Sequence, residues 1–339
     1  MRYVVYGAGA VGGAIGGRLF QAGADVTLVA RGAHHDALRD RGLTLHSGEG
    51  SVTLPVPVVA HPAEAALAPG DVVVLAMKSQ GTADAVRTLA DCAPDDIRIA
   101  CAQNGVENER VALRSFAAVY GIYVLLPAVH LEPGEVVAHA SPVTGVLDVG
   151  RYPGGVDEVA TGMADALSAA TFASQPRPDV MRWKYAKLLD NLFNAVEAVC
   201  GSVLFGRGAA DGGAAQEAEQ AALAELTRRV GAEGKAVLAA AGVDVATRDE
   251  VRARRADRMD SPPVPGGAPH HSSTWQSLAV GSGSVETDYL TGEVVLLGRI
   301  HGVPTPANAL LQALANRAAA GKLPPGSVPA ADVVARLDG

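Results

Sequence analysis

The chain has 339 residues, of which 48% are hydrophobic and 19% charged, enough for about two domains that each bury a core. A formal net charge of −8 argues against a general nucleic-acid surface, whose footprint is basic, and no run of apolar residues is long enough to span a membrane. The three cysteines, Cys92, Cys101 and Cys200, are odd in number and lack metal-ligand spacing, so they read as reduced thiols. Together with an amino terminus that enters a strand with no leader pattern, this makes the expected location cytoplasmic.

The first element sets the frame. An apolar run, Tyr3-Val4-Val5-Tyr6, ends in Gly7-Ala8-Gly9-Ala10-Val11-Gly12, a Gly-x-Gly-x-x-Gly turn that opens an apolar helix carrying Val11, Ile15 and Leu19. Gly7 allows the tight turn, Gly9 lets the backbone approach a pyrophosphate, and Gly12 lets the helix pack close to its strand. Asp25 to Ala30 is the second strand and closes a βαβ unit. An acidic residue at its end would accept ribose hydroxyls. Here Arg31 stands there instead, a cation suited to a 2′-phosphate, so the cofactor expected is NADP(H). The plain alternative is a solvated surface arginine.

Strands and helices alternate onward. A polar helix from His35 to Arg41 leads to short alternating runs at Leu43 to His46 and Val52 to Val58. Asp71 to Ala76 then reads as a buried parallel strand, and it ends in Met77-Lys78-Ser79-Gln80. Ile97 to Ala102 is the next strand, ending in Gln103-Asn104-Gly105, and Val119 to Leu125 follows. Open α/β sheets bind ligands at the carboxyl ends of their strands, which makes Lys78 and Asn104 site candidates. A snorkelling lysine and a turn asparagine are the bland alternatives. Between Val129 and Val149, shorter runs broken by Pro133-Gly134 and Ser141-Pro142 suggest antiparallel strands extending the sheet. A helix from about Val156 to Ala170 and a short strand near Phe172 complete this half.

Gln175-Pro176-Arg177-Pro178 marks the expected boundary between a dinucleotide-binding domain over 1–175 and a helical domain over 180–339. Helices are expected at about Val180 to Cys200, Ala214 to Ala241, Thr247 to Met259, Glu286 to His301 and Thr305 to Ala319, with a loop at Ser261 to Pro269. The fold class is therefore α/β, a Rossmann-type domain followed by an all-α domain. In the first of these helices Lys187, Asn191 and Asn194 fall at i, i+4 and i+7 on one face, with Leu188, Leu192 and Ala195 on another. Asparagine is a poor helix former, so such a stripe implies something that it binds. Lys184 competes for the same role.

These residues resemble the ketopantoate reductase family, NADP-dependent enzymes that reduce a 2-oxo acid by hydride transfer, and the resemblance runs nearly the length of the chain. It rests on the glycine turn, Arg31, Lys78, Gln103-Asn104-Gly105, Lys187-Leu188-x-x-Asn191, Ser272-Ser273-Thr274-Trp275-Gln276, Glu286-Thr287-Asp288-Tyr289 and Gly302-Val303-Pro304-Thr305-Pro306-Ala307-Asn308. It implies that Lys187 is the catalytic lysine and that Asn191 and Ser273 contact the substrate. Glu286 would hold the lysine and a substrate hydroxyl, while Asn104 and Lys78 would lie near the nicotinamide and ribose. Asn194 matches less well, since the corresponding asparagine stands one residue further along in the best-known members. Trp275 and Ser277 replace residues usual in the serine motif, and the flat face of Trp275 suits either a larger substrate tail or the core. His270 and His271 read as loop residues, with a place against the substrate or a metal as the alternative.

The chemistry agrees with that assignment. Hydride addition to a ketone carbon develops negative charge on oxygen, which an ammonium group stabilises and protonates. A carboxylate at Glu286 would keep the lysine charged, with a carboxylate favoured by a helix N-terminus as the plain alternative. The expected activity is reduction of a 2-oxo acid, ketopantoate to pantoate in the first place, with a small-molecule substrate and no nucleic-acid or membrane partner; a homodimer is left open. Reduction of a different ketone or imine on the same scaffold, and a non-catalytic NADP(H)-responsive regulator, remain as alternatives.

Overall fold

A computed structural model describes residues 1–130, 132–201, 214–256, 259–260 and 271–339. The chain forms two compact units, one of Met1–Lys184 with Ala246–His270 and one of Tyr185–Val245 with His271–Gly339. The division in sequence thus falls inside the helix Val180–Asn191, beyond the prolines at 176 and 178. The expected loop at 261–269 lies outside the described residues.

The first unit is built on an eight-stranded sheet. Its order is Phe172–Ala173, Gly145–Arg151, Ala118–Leu125, Arg98–Cys101, Val72–Leu75, Tyr3–Tyr6, Val26–Val29, Val58–Val59. The strands from Ala118–Leu125 to Val58–Val59 are parallel, and Gly145–Arg151 runs antiparallel to Ala118–Leu125. Val72–Leu75 is buried throughout, as its continuous apolar character demands. The chain leaves Tyr3–Tyr6 toward one edge and returns at Val72–Leu75 to build toward the other. The carboxyl ends of these two neighbouring strands are therefore the topological switch point at which such sheets bind ligands.

One expectation needs correction. Only Gly145–Arg151, with Phe172–Ala173 parallel beside it, extends the large sheet. Glu135–Ala138 instead joins a second sheet of four strands, ordered Gly50–Leu54, Leu43–Ser47, Glu135–Ala138, Ala128–Val129. The cause is the helix Ala10–Gln21, which is apolar on more than one side and buried from Gly12 to Leu19. The large sheet covers only one side of it. Leu43, Leu45, Leu54, Val136 and Ala138 cover the rest within the same core as Ile15 and Leu19.

Residues 246–256 return to the first unit through charge. Thr247 and Glu250 form a capping box at the start of the helix Arg248–Arg255, and both Glu250 oxygens accept from the Arg182 guanidinium at 2.8 Å. Arg254 Nε donates to Asp148 Oδ2 at 2.9 Å. Asp148 is fully buried on the strand Gly145–Arg151 and also accepts from Arg177 Nε at 2.8 Å and from the Gln175 amide.

The second unit is helical around Leu192, Val196, Leu226, Val230, Val294 and Leu311. The helix Val180–Asn191 gives way at Leu192 to Phe193–Cys200, and the expected helix from Glu286 is a 3-10 turn, Glu286–Tyr289, before Thr291–His301. Helices Ser273–Ala279 and Ala330–Asp338 add to those expected. Carboxylates of the long helix Ala214–Ala240 cap two of the others, Pro306–Ala320 and Ala330–Asp338. Glu233 accepts the Ala307 and Asn308 amides at 2.9 Å, and Glu219 accepts those of Ala330 and Ala331.

Candidate active site

At the switch point the three glycines of the turn have separate reasons. Gly7 has φ 99°, and a Cβ there would lie 2.7 Å from the Met77 amide nitrogen. A Cβ on Gly12 would lie 2.1 Å from the Gly7 carbonyl oxygen and 2.9 Å from the Ala76 methyl. Gly9 is different: a Cβ there would meet nothing within 4 Å, and its φ of −70° suits any residue. Neither packing nor backbone conformation within the protein calls for glycine at that position. Open space over the first turn of the helix Ala10–Gln21, which has no side-chain cap and no acidic residue in its first turn, fits a pyrophosphate. Ala8 is buried, and Ala10 and Val11 are half-buried, so what this turn offers a ligand is backbone.

Arg31 is exposed at the N-cap of the next helix, Gly32–Arg41, again with no acidic residue in the first turn. It lies close enough to the Tyr6 phenol to oppose the rise in pKa that burial causes there. A cation beside uncapped helical amides is an anion-binding arrangement.

Two histidines tie the glycine turn to the second sheet. His34 Nε2 donates to the Ala8 carbonyl at 2.8 Å, and its Nδ1 accepts from the Gly134 amide at 3.0 Å and from His130 Nε2 at 3.1 Å. Burial lowers the pKa of both, and that of His130 to about 4, with the His34 charge as a smaller cause. The native state therefore binds fewer protons than the unfolded chain between about pH 4 and 6.5, so this contribution to stability is complete above 6.5 and is lost as pH falls through that window. His130→Gln should be no more stable than the parent at pH 7. Relative to the parent it should gain of order 2 kcal/mol between pH 7 and 4.5, measured by urea unfolding. Parallel pH profiles for the two proteins would contradict this.

Lys78 is exposed and extended at the carboxyl end of its strand. On the neighbouring strand the turn Gln103-Asn104-Gly105 is held by its backbone: the Asn104 carbonyl accepts from Asn108 Nδ2 at 2.9 Å and Ser79 Oγ at 3.2 Å. Thr82 Oγ1 donates to Asn108 Oδ1 and accepts from Gln103 Nε2, both at 2.7 Å. The half-buried Asn104 side chain is thus left for another partner. Ser79, Thr82 and Asn108 were not singled out in the sequence, though a polar Ser-Gln-Gly-Thr run directly after a buried strand was the available signal.

The structure separates the two lysines. Lys184 is 3% exposed in the first unit. It pairs with the fully buried Glu109 and donates to the Gln103 carbonyl at 3.1 Å, which commits it to holding the turn. Lys187 is half-buried in the second unit. On the same face Asn191 is 4% exposed, and its Oδ1 has no hydrogen-bond partner among the described residues; Asn194 is half-buried. Ser273 Oγ is likewise buried without a partner among the described residues, and Glu286 is 6% exposed at the start of its 3-10 turn.

Other motif residues have structural uses. Ser277 Oγ donates to the Ser273 carbonyl at 2.7 Å, and Asp288 accepts from Gln312 and Asn316 at 2.7 Å. Trp275 packs partly on the helical core and stacks on His271, whose ring centroid is 3.7 Å away. Among the described residues no cluster of His, Cys, Asp or Glu could hold a metal ion, and no helix is long and apolar enough to cross a membrane.

The family model described as Ketopantoate reductase PanE/ApbA matches residues 3–154, and its C-terminal counterpart matches 179–319. A 2-dehydropantoate 2-reductase of Halobacterium salinarum is 30% identical over 311 residues, 90% of this chain and 95% of that protein. One from Pyrococcus horikoshii is 30% identical over 200 residues, 59% of this chain but 64% of that protein, so the chain spans just under two thirds of this relative. The crystal structure of a PanE/ApbA family ketopantoate reductase from Ralstonia eutropha JMP134 superposes with a TM-score of 0.76 at 28% identity, covering 95% of this chain and 99% of that one.

Proposed function

Because the chain belongs to the ketopantoate reductase family of dinucleotide-dependent oxidoreductases, we propose that it reduces a 2-oxo acid to the 2-hydroxy acid with NADPH, and that ketopantoate is its first candidate substrate. The observation that carries this reading is that Asn191 Oδ1 and Ser273 Oγ, in the unit that also bears Lys187 and Glu286, are two of the buried polar atoms left without a hydrogen-bond partner among the described residues. Polar atoms withdrawn from water almost always have partners, and a bound hydroxylated 2-oxo acid supplies them. The Asn191 amide oxygen accepts from a substrate hydroxyl, and the Ser273 hydroxyl donates to the carboxylate. Asn194, half-buried on the same stripe, adds a further amide on this reading.

The residues of the glycine turn, with Arg31, Lys78 and Asn104, would hold the dinucleotide, which when bound supplies the hydride. The Lys187 ammonium stabilises the charge that develops on the ketone oxygen and gives up its proton there, leaving a neutral amine that is reprotonated from solvent. A carboxylate at Glu286 keeps that lysine charged and fixes its direction. The test is NADPH oxidation against a panel of 2-oxo acids, ketones and imines. Turnover confined to 2-oxo acids supports the proposal, and turnover confined to imines or simple ketones overturns it.

Arg31 carries the choice of cofactor. Arg31→Ala should weaken NADPH binding by about 1 to 3 kcal/mol, as expected for a lost charge-assisted hydrogen bond, and leave NADH binding nearly unchanged in a fluorescence titration. Equal losses for both dinucleotides would remove the reason for preferring NADPH.

A further inference from the structure

Ser273 opens its helix from a turn that is held by a residue far away in sequence. Glu197, 6% exposed on the helix Phe193–Cys200, accepts the Ser272 amide on Oε2 at 3.0 Å and His271 Nδ1 on Oε1 at 3.1 Å. His271 lies flat on the Trp275 ring, at 3.7 Å between centroids and 15° between planes, and its carbonyl accepts from Gln276 Nε2 at 2.7 Å. Ser272 Oγ already accepts the Trp275 amide, so the helix has its own cap without the carboxylate. A cap alone does not explain a buried charge that also fixes an imidazole. Withdrawing a carboxylate from water is costly unless donors compensate, and here two donors from consecutive residues do so.

We infer that Glu197 is a positioning residue of the substrate site, which sets Ser273 directly through the Ser272 amide and sets Trp275 through His271. This rests on the proposed reduction of a 2-oxo acid at Ser273 and Asn191. Glu197 follows Lys187, Asn191 and Asn194 along the same stretch of chain, so one carboxylate fixes the serine turn against the segment that bears the proposed proton donor. Trp275, the departure from the family pattern, is then a held wall of the site rather than a loose surface ring.

The test is kinetic and spectroscopic. Glu197→Ala should raise KM for the 2-oxo acid by about tenfold or more, lower kcat by a smaller factor, and leave the NADPH dissociation constant within about twofold. Glu197→Gln, which still accepts the Ser272 amide, should recover part of the KM. His271→Ala, a half-buried position less exposed to folding defects, should change the ratio of kcat/KM between a short and a bulky 2-oxo acid. In a Trp183→Phe background, where Trp275 is the remaining tryptophan, both Glu197→Ala and His271→Ala should shift Trp275 emission even without substrate. Unchanged emission in folded Glu197→Ala overturns the inference whatever the substrate proves to be. So does an unchanged KM in an active enzyme, or a KM and NADPH dissociation constant that rise together with a fall in melting temperature. A parent protein that reduces no 2-oxo acid, yet shows the emission shifts, overturns the proposed function and with it the substrate role of Glu197, while the held turn stands.

Discussion

Lys184→Met should lose about 3 to 5 kcal/mol of stability in urea unfolding at pH 7, the cost of leaving a buried charge without its partner. Glu109 is fully buried, and one of its oxygens already lacks a hydrogen bond among the described residues, so none of these takes over from the ammonium. The carbonyls of Cys101 and Gln103 lose a donor as well. Burial holds the Glu109 pKa above the ordinary carboxylate value, and the Lys184 charge opposes that rise. Without Lys184 the pKa climbs further. A carboxyl group with a raised folded pKa loses stability as pH rises through the carboxylate range and recovers it on protonation, so the deficit of Lys184→Met should shrink as pH is lowered. Adding Glu109→Leu should restore most of the loss, since a buried pair is often replaceable by apolar residues. A deficit under about 1 kcal/mol that does not change with pH would show that the pair is incidental.

Lys187→Ala should keep its fold and its affinity for NADPH while kcat falls by at least about a hundredfold, the low end of the contribution of a general acid. The lysine is half-buried in the helical unit, so truncation disturbs a less enclosed position than that of Lys184. The two lysines thus separate by kind of defect: one variant is unstable, the other is stable and slow. A fall in kcat of less than about tenfold for Lys187→Ala would remove it from the chemistry.

The dinucleotide-binding half was legible because its signals are local. A buried strand, three glycines and an apolar helix follow one another within a few residues, and each constrains its neighbour. The lysine stripe was legible for the same reason: Leu188, Leu192 and Ala195 fall on one face by periodicity alone, and all three are buried. What escaped the reading depends on partners far away in sequence. Nothing near Glu135–Ala138 says that it pairs in parallel with Leu43–Ser47, because the need it meets is the uncovered side of the helix Ala10–Gln21. Nothing near Arg254 points to Asp148, and that contact, with the Arg182–Glu250 pair, returns the helix Arg248–Arg255 to the first unit. Glu109 and Glu197 look like ordinary helix carboxylates in sequence. Their roles appear only once Lys184 and the Ser272 amide are brought to them.

The choice between Lys184 and Lys187 shows the same limit. Spacing of three residues places both lysines near one face of the helix, and only burial distinguishes the enclosed Lys184, engaged with Glu109, from the half-buried Lys187.

Hydride transfer from NADPH to the C2 carbon of a 2-oxo acid can be followed by isotope labelling. The protein is mixed with ketopantoate and NADPH deuterated at both C4 positions, and the product is read by mass spectrometry. Pantoate carrying a single deuterium at C2 is expected, formed at a rate that collapses in Lys187→Ala. Pantoate without deuterium, or no reduction of ketopantoate or of any bulkier 2-oxo acid, would contradict it.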